Sequence, residues 1–154
     1  YHFGSKAEIL EGLMKRLLDQ HLAGLDQKID EAGDDPLDQL DAFIEHHLAT
    51  GDTANPQALA VWVALGAEAI KSKDVRTRYA AGLAGIMERL LTIIRHGIDE
   101  RRFGDMQPRV SASAILATIE GYFVVAATAR DLIPPYTAAP ALKAMARGLL
   151  EVKR

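Results

Sequence analysis

The sequence predicts an all-α fold, a bundle of about six helices, and three observations support that prediction. Apolar residues recur at helical spacing through most of the 154-residue chain. Proline follows Asp or Asn where segments begin, and glycine stands where several of them end, as is typical of helix boundaries. Strand signals are nearly absent. With 49% apolar residues, the chain is long enough to bury a substantial core as one domain.

The first predicted helix is long and runs from Ser5 to Ala32. Ser5 with Glu8 three residues later forms a capping box, which satisfies free backbone N–H groups at a helix start. Gly33-Asp34-Asp35 ends the helix. Its apolar stripe consists of Ile9, Leu10, Leu13, Leu17, Leu18, Leu22, Leu25 and Ile29.

Two dipeptides predict the starts of the next two helices, because proline suits the first helical position. Asp35-Pro36 opens the second helix. Asn55-Pro56 opens the third, which extends to about Lys71. The third helix is apolar nearly all round, so we expect it to be deeply buried. The inward face of the second consists of Leu37, Leu40, Phe43, Ile44, His47 and Leu48.

The fourth predicted helix starts with Asp74 as its cap and runs to Arg102 or Phe103, where Gly104 stops it. Its long apolar stripe predicts packing along its whole length. The stripe consists of Val75, Tyr79, Leu83, Ile86, Leu90, Ile94 and Ile98.

The last two predicted helices are Pro108 to Leu132 and Thr137 to Val152, separated by a rigid turn with two prolines. The stretch 111–129 is long and apolar enough to raise the question of a membrane span. Glu120 at its centre and many small residues favour a helix buried at a subunit interface instead.

Composition narrows the classes of function. The net charge is −3 and no basic patch of any size is visible, so the body of the chain is not a nucleic-acid surface. The absence of cysteine excludes disulfides, thiolate metal sites and a Cys nucleophile, and it fits a reducing cytoplasm. No signal peptide is visible, and we expect a cytoplasmic protein.

The first residues carry the most specific motif in the chain. Tyr1-His2-Phe3-Gly4-Ser5-Lys6 resembles the end of the helix-turn-helix domain of TetR-type transcriptional regulators, whose common pattern is Tyr-Tyr-His-Phe-x-x-Lys-x-x-Leu. The resemblance implies that residues 1–4 are the tail of a DNA-binding domain whose earlier helices are not in the chain. It also implies phosphate contacts for Tyr1 and Lys6, phosphate or base contact for His2, and a packing role for Phe3. Lys6 in a first helical turn also suits phosphate binding on physical grounds.

A second resemblance narrows the family. Trp62 followed by Glu68-Ala69, Asp74 and Arg78 is similar to a pattern in the branch related to the choline-responsive repressor BetI. Glu120-Gly121-Tyr122-Phe123 is similar to the Asp-Gly-Leu of that branch. The resemblance implies that residues 5–154 are a ligand-binding and dimerisation domain of TetR-repressor-like fold. The helix 5–32 would then be the connector to the DNA-binding domain.

Trp62 is the only tryptophan, and it lies on the most apolar predicted helix. It has two interpretations that periodicity cannot separate: plain core, or the lining of an apolar small-molecule pocket between helices. The residues that could line such a pocket with it are Phe43, Met87, Leu91 and Phe123.

Two carboxylates fall on otherwise apolar surfaces, where burial is costly without a partner. Glu68 has cations nearby in sequence, so we expect a structural salt bridge with Arg76 or Arg78. Glu120 has no such neighbour on its face. It is therefore a candidate for holding a cationic or hydroxylated ligand, or for a hydrogen bond at an interface.

The histidines of Glu45-His46-His47 raise the question of a metal or acid–base site. No His-Glu-x-x-His and no pair of histidines at helical i, i+4 spacing is present, so we expect no metal and no cofactor. His47 should face inward and is a candidate polar group of the ligand pocket. No nucleophile elbow or phosphate-binding glycine loop occurs, so we expect no catalytic residues and no enzyme.

Small residues on the fifth helix allow close helix approach, and the sixth supplies an apolar stripe. Together with their symmetry mates these helices would form a four-helix homodimer interface, as the family resemblance implies, although burial within one chain is the simpler alternative. The candidate interface residues are Gly121, Val125, Ala129, Leu132, Leu142, Met145 and Leu149.

The function that these patterns predict is a homodimeric TetR-type repressor of operator DNA, relieved by a small-molecule effector and without a role for the membrane. An effector in a cavity between helices two to five would tilt the connector helix. The two DNA-binding domains would then move away from the spacing of roughly 34–36 Å that successive major grooves require. The alternatives are a dimeric helical small-molecule-binding protein without DNA-binding activity, and a Glu/His metalloenzyme.

Overall fold

The protein is all-helical over the residues that the structure, a computed structural model, describes: 6–48 and 56–153. No strand occurs in this part of the chain, which confirms the predicted fold class. A short 3-10 turn at Arg130–Leu132 follows the fifth helix. The helices are α1 Lys6–Glu31, α2 Pro36–Leu48, α3 Pro56–Lys71, α4 Lys73–Asp99, α5 Pro108–Thr128 and α6 Ala138–Leu149.

The central helix is α4, which packs against α1, α2, α3 and α5. On one side of it, α2 packs against α1 and α6, and α6 also packs against α5. On the other side, α3 packs against α4 and α5. The helices α1 and α4 therefore run past both halves of the bundle.

The larger of two separate hydrophobic cores, called the main core below, is formed by α2, α6, the second half of α1, most of α4 and the first half of α5. Its largest side chains, such as Phe43 and Phe103, are almost completely inaccessible to solvent. The buried residues are Leu25, Leu40, Phe43, Ile44, Leu48, Ile86, Leu90, Leu91, Ile93, Ile94, Phe103, Ala112, Ile115, Leu116, Ile119, Ala138, Ala139, Leu142, Ala146 and Leu150.

The smaller core, called the minor core below, joins the first half of α1 to α3 and to the start of α4. Half-buried side chains, two of them aromatic, surround it. The buried residues are Met14, Leu18, Leu65, Ala69 and Val75, and the half-buried ones are Leu17, Val61, Trp62 and Tyr79.

The prediction that α3 is deeply buried is wrong. Only Leu65 and Ala69 of this helix are buried, and Ile70 is 79% exposed. The reason is that α3 lies at the edge of the bundle, where one side packs on α4, α5 and the first half of α1 and no described element covers the other. Apolar residues on every face of α3 were therefore not a sign that the helix is buried.

The ends of α4 also differ from their prediction. Ser72 rather than Asp74 is the N-cap, and its Oγ accepts a hydrogen bond from the backbone N–H of Val75. At the other end Arg101 takes a positive φ of 57°. Its N–H and the next one return to carbonyls of the last turn, an ending in which Gly104 plays no part.

The fifth and sixth helices are shorter than predicted. The fifth ends at Thr128, because Ala129 leaves the helical conformation (φ −148°, ψ 53°) before the 3-10 turn. The sixth begins at Ala138 and ends at Leu149. The first helix agrees with its prediction to within a residue, and the capping residue Ser5 lies outside the described residues.

The helix α5 is the one described helix that is long and apolar enough to cross a membrane by length and composition. Only a minority of its most apolar stretch is buried within the chain. Such a helix is weak evidence for a span, because helices of soluble protein cores meet the same criteria.

Candidate functional site

The structure brings together two of the predicted ligand-binding residues, Trp62 and Glu120, and adds Tyr79 to them. The indole Nε1–H of Trp62 lies 3.3 and 3.1 Å from the two carboxylate oxygens of Glu120 and donates to them. The hydroxyl of Tyr79 donates to Oε2 of the same carboxylate at 3.0 Å. We call these three residues the carboxylate–aromatic site.

Each residue of this site comes from a different helix: Trp62 from α3, Tyr79 from the first half of α4 and Glu120 from the middle of α5. The Trp62 and Tyr79 rings pack at a centroid distance of 4.6 Å and an angle of 31°. Gly66, one turn after Trp62, makes room for Tyr79, because a Cβ at this position would lie 3.1 Å from the tyrosine hydroxyl.

The Glu120 carboxylate is half-buried, and burial raises its pKa above the ordinary value. The hydrogen bonds from Trp62 and Tyr79 act in the opposite direction and favour the charged form. Burial and the neighbouring Glu120 charge also raise the pKa of Tyr79, so its hydroxyl remains a donor. In the described part of the chain no cation forms an ion pair with Glu120.

The sequence did not identify Tyr79 as a site residue, because its spacing assigned it to the apolar stripe of α4. Its hydroxyl was the only available signal, since a phenol on an apolar stripe needs a hydrogen-bond partner when it is buried. The sequence cannot show that this partner is Glu120, 41 residues later.

The predicted salt bridge of Glu68 is wrong. Glu68 is exposed on α3. Arg78 pairs instead with Glu11 of α1 at 2.8 Å, and the Arg76 guanidinium donates to the carbonyls of Ala69 and Ile70 at the end of α3. An exposed carboxylate needs no partner, which removes the reason for the prediction.

The other predicted pocket residues do not converge on the carboxylate–aromatic site. Phe43 and Leu91 are both 0% exposed in the main core. Met87 and Phe123 are half-buried and pack against the main core. The structure therefore places part of the predicted apolar lining in a closed core, where no ligand fits without repacking.

His47 faces inward as expected, but two further histidines accompany it. Its Nε2 lies 3.0 Å from Nε2 of His21 on α1, and the His46 ring packs against both of the others. We call these three residues the histidine cluster. Among the described residues no group of His, Cys, Asp or Glu is arranged to hold a metal ion. The sequence did not single out His21, because its partners are far away along the chain.

The predicted dimer residues divide into exposed and buried ones. Leu132, Met145 and Leu149 are 76%, 55% and 42% exposed. A Cβ at Gly121 would meet nothing within 4 Å. Leu142 is only 1% exposed and belongs to the main core of its own chain, so its assignment to the interface is wrong.

The remaining dimer candidates are half-buried: Val125 in the last turns of α5, and Ala129 directly after the helix ends. The sequence missed Val124, next to Val125 and 49% exposed, and Tyr136, which follows the 3-10 turn and is 68% exposed. The end of α5, the turn that follows and one side of α6 thus leave large apolar side chains in solvent.

The carboxylate–aromatic site is connected to α1 through the start of α4. Trp62 and Tyr79 pack against the minor core, to which α1 contributes Met14 and Leu18. A Cβ at Gly82, one turn after Tyr79, would clash with the end of the Leu18 side chain, so α1 and α4 approach closely there. The Arg78–Glu11 ion pair adds a second link between the same two helices.

The predicted DNA-contacting residues cannot be placed. Tyr1 and His2 lie outside the described residues. Lys6 is the first residue of α1, and its side chain is likewise outside them.

Comparisons with known proteins give two matches, and both are to transcriptional regulators. Residues 36–151 match the family described as the C-terminal part of BetI-type transcriptional repressors. The fold is similar to that of a TetR transcription regulator from Haloarcula marismortui ATCC 43049, with a TM-score of 0.77 and 18% sequence identity. That alignment covers 97% of this chain and 75% of the other. No curated protein matches the sequence significantly.

Proposed function

This chain belongs to the BetI-type family of TetR transcriptional repressors, and from that membership we propose that a small organic cation bound at the carboxylate–aromatic site controls its affinity for operator DNA. The family is one of transcriptional regulators rather than enzymes. Because operator DNA would be its partner, we place the protein in the cytoplasm.

The observation that carries the proposal is the state of the Glu120 carboxylate. It is half-buried between three helices and held by two neutral donors, Trp62 and Tyr79. No cation among the described residues compensates its charge. A partly desolvated carboxylate without a counter-ion favours a positively charged ligand, because the ligand supplies the missing compensation.

The aromatic rings beside Glu120 favour the same class of ligand. The faces of tryptophan and tyrosine attract cations, and the effect is largest where water is excluded. The two rings and the carboxylate together present an apolar wall with one negative end. An alkylammonium ion matches this arrangement better than a neutral molecule of the same size.

The proposed signal reaches α1 through the minor core. A ligand that displaces Tyr79 moves the first turns of α4, and these turns hold α1 through Leu18 and through the Arg78–Glu11 ion pair. A coupling of about 1–3 kcal/mol between the two sites is enough for a useful switch. The ligand must bind the two positions of α1 with different affinities, since equal affinities would shift nothing.

The DNA end of the mechanism rests on the family resemblance. We propose that residues 1–4 end a helix-turn-helix domain, that Tyr1 and Lys6 contact DNA phosphates, and that His2 contacts a phosphate or a base edge. Residues 5–154 would be the regulatory and dimerisation domain, with α1 as the connector between them.

We also propose that the exposed apolar face of α5 and α6 forms a homodimer. The face contains Leu132, Tyr136 and Met145, each more than half exposed. Gly121 and Gly148 have open space beside their α-carbons, so a second copy can approach the backbone closely. Met145→Glu places a charge in this face, and we expect sedimentation analysis to show loss of the dimer with the helical content unchanged. A variant that remains dimeric would contradict this interface.

Trp62 provides a direct assay for the ligand, because it is the only tryptophan and lies in the site. We expect butylammonium to change its fluorescence at concentrations where butanol does not. Glu120→Gln should abolish this difference, because the amide retains the shape and loses the charge. Glu68→Gln is the matched control, an exposed carboxylate on α3. Equal responses to the charged and neutral probes would contradict the ligand class.

The repressor itself is tested with the full-length protein, including any residues encoded before Tyr1. Its binding to its own upstream intergenic DNA and to random DNA should be compared at fixed salt, since phosphate contacts make affinity salt-dependent. Specific binding that weakens in Lys6→Ala supports the proposal. Equal affinity for both DNAs would indicate a ligand-binding protein without an operator.

A further inference from the structure

Three of the five histidines in the chain meet where α1 packs against α2, outside the carboxylate–aromatic site. The ring centroids of His21 and His46 are 4.7 Å apart, those of His21 and His47 4.8 Å, and those of His46 and His47 5.5 Å. The cluster lies along α1 between Leu18 of the minor core and Leu25 of the main core. It therefore occupies the point where the connector helix passes from one core to the other.

The hydrogen bonds of the cluster require a neutral imidazole at His47. Nδ1 of His47 lies 2.7 Å from the Phe43 carbonyl, which can only accept, so this nitrogen carries a proton. In a neutral ring the Nε2 of His47 is then an acceptor, and it receives the Nε2–H of His21 at 3.0 Å. If both rings were protonated, two N–H groups would face each other and this bond would be lost.

The third ring is held tightly without a partner for its buried nitrogen. Nε2 of His46 is buried and has no hydrogen-bond partner in the described residues. Its Cε1 rests on the α1 backbone, because a Cβ at Gly24 would lie only 3.1 Å away. Burial lowers the pKa of His46, and it outweighs a contact of the ring with the His21 backbone, which favours the charged form.

The charged groups that act on the cluster from the helices packed around it are cations. Lys28 of α1 acts on His46, and Arg89 of α4 acts on His21. The guanidinium of Arg89 is itself bound by Asp26 through two nitrogens, so this carboxylate is already occupied. On α2, His46 acts on His47. The carboxylate of Glu45 beside them is paired with Lys143 of α6. Each added proton therefore brings like charges together.

We propose that the histidine cluster is a proton-sensitive contact that holds α1 against α2 while its rings are neutral and releases this part of α1 when they are protonated. The release of α1 follows from the contacts of the histidine cluster and does not depend on the proposed function. Its consequence, weaker operator binding in mild acid, rests on the proposed function, in which α1 is the connector.

The pH range follows from the direction of the shifts. Burial, followed by neighbouring charges, lowers the pKa of His21 to about 4 and that of His47 to about 3, and burial also lowers the pKa of His46. The opened state has the ordinary pKa of 6.5. The contact is therefore fully stable above the ordinary pKa, and it weakens as pH falls from there toward the lowered values.

The size of the effect follows from the same values. When the pH falls from about 7.5 to about 5, the protonation of His21 and that of His47 each raise the equilibrium constant for opening of α1 by about 30-fold. Because the two rings interact, they titrate as a pair, and their combined effect on the opening equilibrium of α1 exceeds that of either ring alone. The dependence is steep because at least two protons bind on opening.

Hydrogen exchange of the chain's backbone amides at several pH values, corrected for the intrinsic rates, measures this opening. We expect the α1 amides around His21 and Leu25 to gain openings on acidification, while those of α6 around Leu142 do not. His21→Gln should remove about 30-fold of the gain, the share of one histidine.

His46→Gln is a second cluster variant, which keeps the test decisive if His21→Gln fails to fold. His96→Gln, a half-buried histidine in the last turn of α4, is the matched control and should behave like the wild type. Equal gains in wild type and both cluster variants would overturn the proposal, as would a gain of the same size in α6.

Operator binding by the full-length protein separates this inference from the proposed function. We expect acidification to weaken wild-type binding more than binding by His21→Gln. If exchange depends on His21 and DNA affinity does not, the contact stands and its link to DNA is wrong. If no specific DNA binding occurs at any pH, the repressor assignment fails while the exchange result still decides the contact.

Discussion

The main core and the minor core differ in completeness, although α1 and α4 pass through both. The main core closes around side chains such as Leu90 and Phe43, which are 0% exposed. In the described part of the chain the minor core has five buried residues, and half-buried groups such as Trp62 and Tyr79 form its edge. Among the described residues, the main core is closed to solvent, whereas the minor core is solvent-accessible along one side.

This difference indicates where a signal can act. A closed core resists rearrangement, because its side chains are packed at nearly crystalline density. An open core can repack at a smaller cost, and here it holds the first half of α1 and the candidate ligand site together. We therefore assign stability to the main core and regulation to the minor core. The predictions below test that assignment.

The largest expected effect comes from truncating a leucine in each core. Leu90→Ala should lower the free energy of unfolding by about 3–5 kcal/mol, because rigid neighbours leave a cavity. Leu65→Ala, its equally buried counterpart in the minor core, should cost about 2–3 kcal/mol, because half-exposed neighbours can relax. Urea unfolding of both variants measures the difference. A larger cost for Leu65→Ala would contradict the ranking of the two cores.

A smaller effect is expected where a helix glycine touches each core. An added Cβ at Gly97 would overlap the ring of buried Phe103, so Gly97→Ala should destabilise the protein by about 1–3 kcal/mol. At Gly82 the overlap is with the flexible end of Leu18, and the gain in helix propensity offsets part of the cost. We expect Gly82→Ala to cost less than about 1 kcal/mol by thermal unfolding while changing operator affinity. If Gly97→Ala changes operator affinity more than Gly82→Ala does, the signal passes through the main core, and the assignment of regulation to the minor core is contradicted.

The carboxylate of the ligand site should contribute little to stability. A raised pKa means that folding disfavours the charge of Glu120, so this group lowers stability as pH rises through its ordinary value toward its folded value. Glu120→Gln should therefore leave the free energy of unfolding unchanged or raise it, within about 1 kcal/mol at neutral pH. At low pH the difference from wild type should vanish. A strong loss of stability at neutral pH would show that Glu120 is structural.

The smallest effect is expected on the solvent side of α1. Lys15 and Asp19 form an ion pair at 2.6 Å, but their side chains are 75% and 63% exposed. Lys15→Ala should change the free energy of unfolding by less than about 0.5 kcal/mol. The shift should disappear at high salt, because exposed charges are screened. A loss comparable to that of Leu65→Ala would mean that surface ion pairs stabilise α1 as much as its packing in the minor core does.

The sequence was most informative where the signal is local. Helix starts such as Pro36 and Pro56 were predicted correctly, because proline restricts the backbone by its own geometry. The open side of α3 was missed, because burial depends on which neighbours are present and not on the composition of the helix.

The candidate site was predicted in part for the same reason. Glu120 was identified because a carboxylate on an apolar stretch is a local anomaly. Tyr79 and His21 were not, because their importance comes from partners 41 and 26 residues away. Such pairings are fixed only by tertiary packing. The distinction between pocket and plain core at Phe43 and Leu91 likewise required the structure.

Operator binding by the full-length protein, measured while Trp62 fluorescence reports occupancy of the site, tests directly whether ligand binding is transmitted to α1. An alkylammonium ligand that saturates the fluorescence change should weaken operator binding by about 5- to 150-fold. Glu120→Gln should remove that effect and keep the affinity of the unliganded protein. Operator affinity that stays constant while Trp62 reports full occupancy would contradict the central claim that the minor core transmits ligand binding to α1.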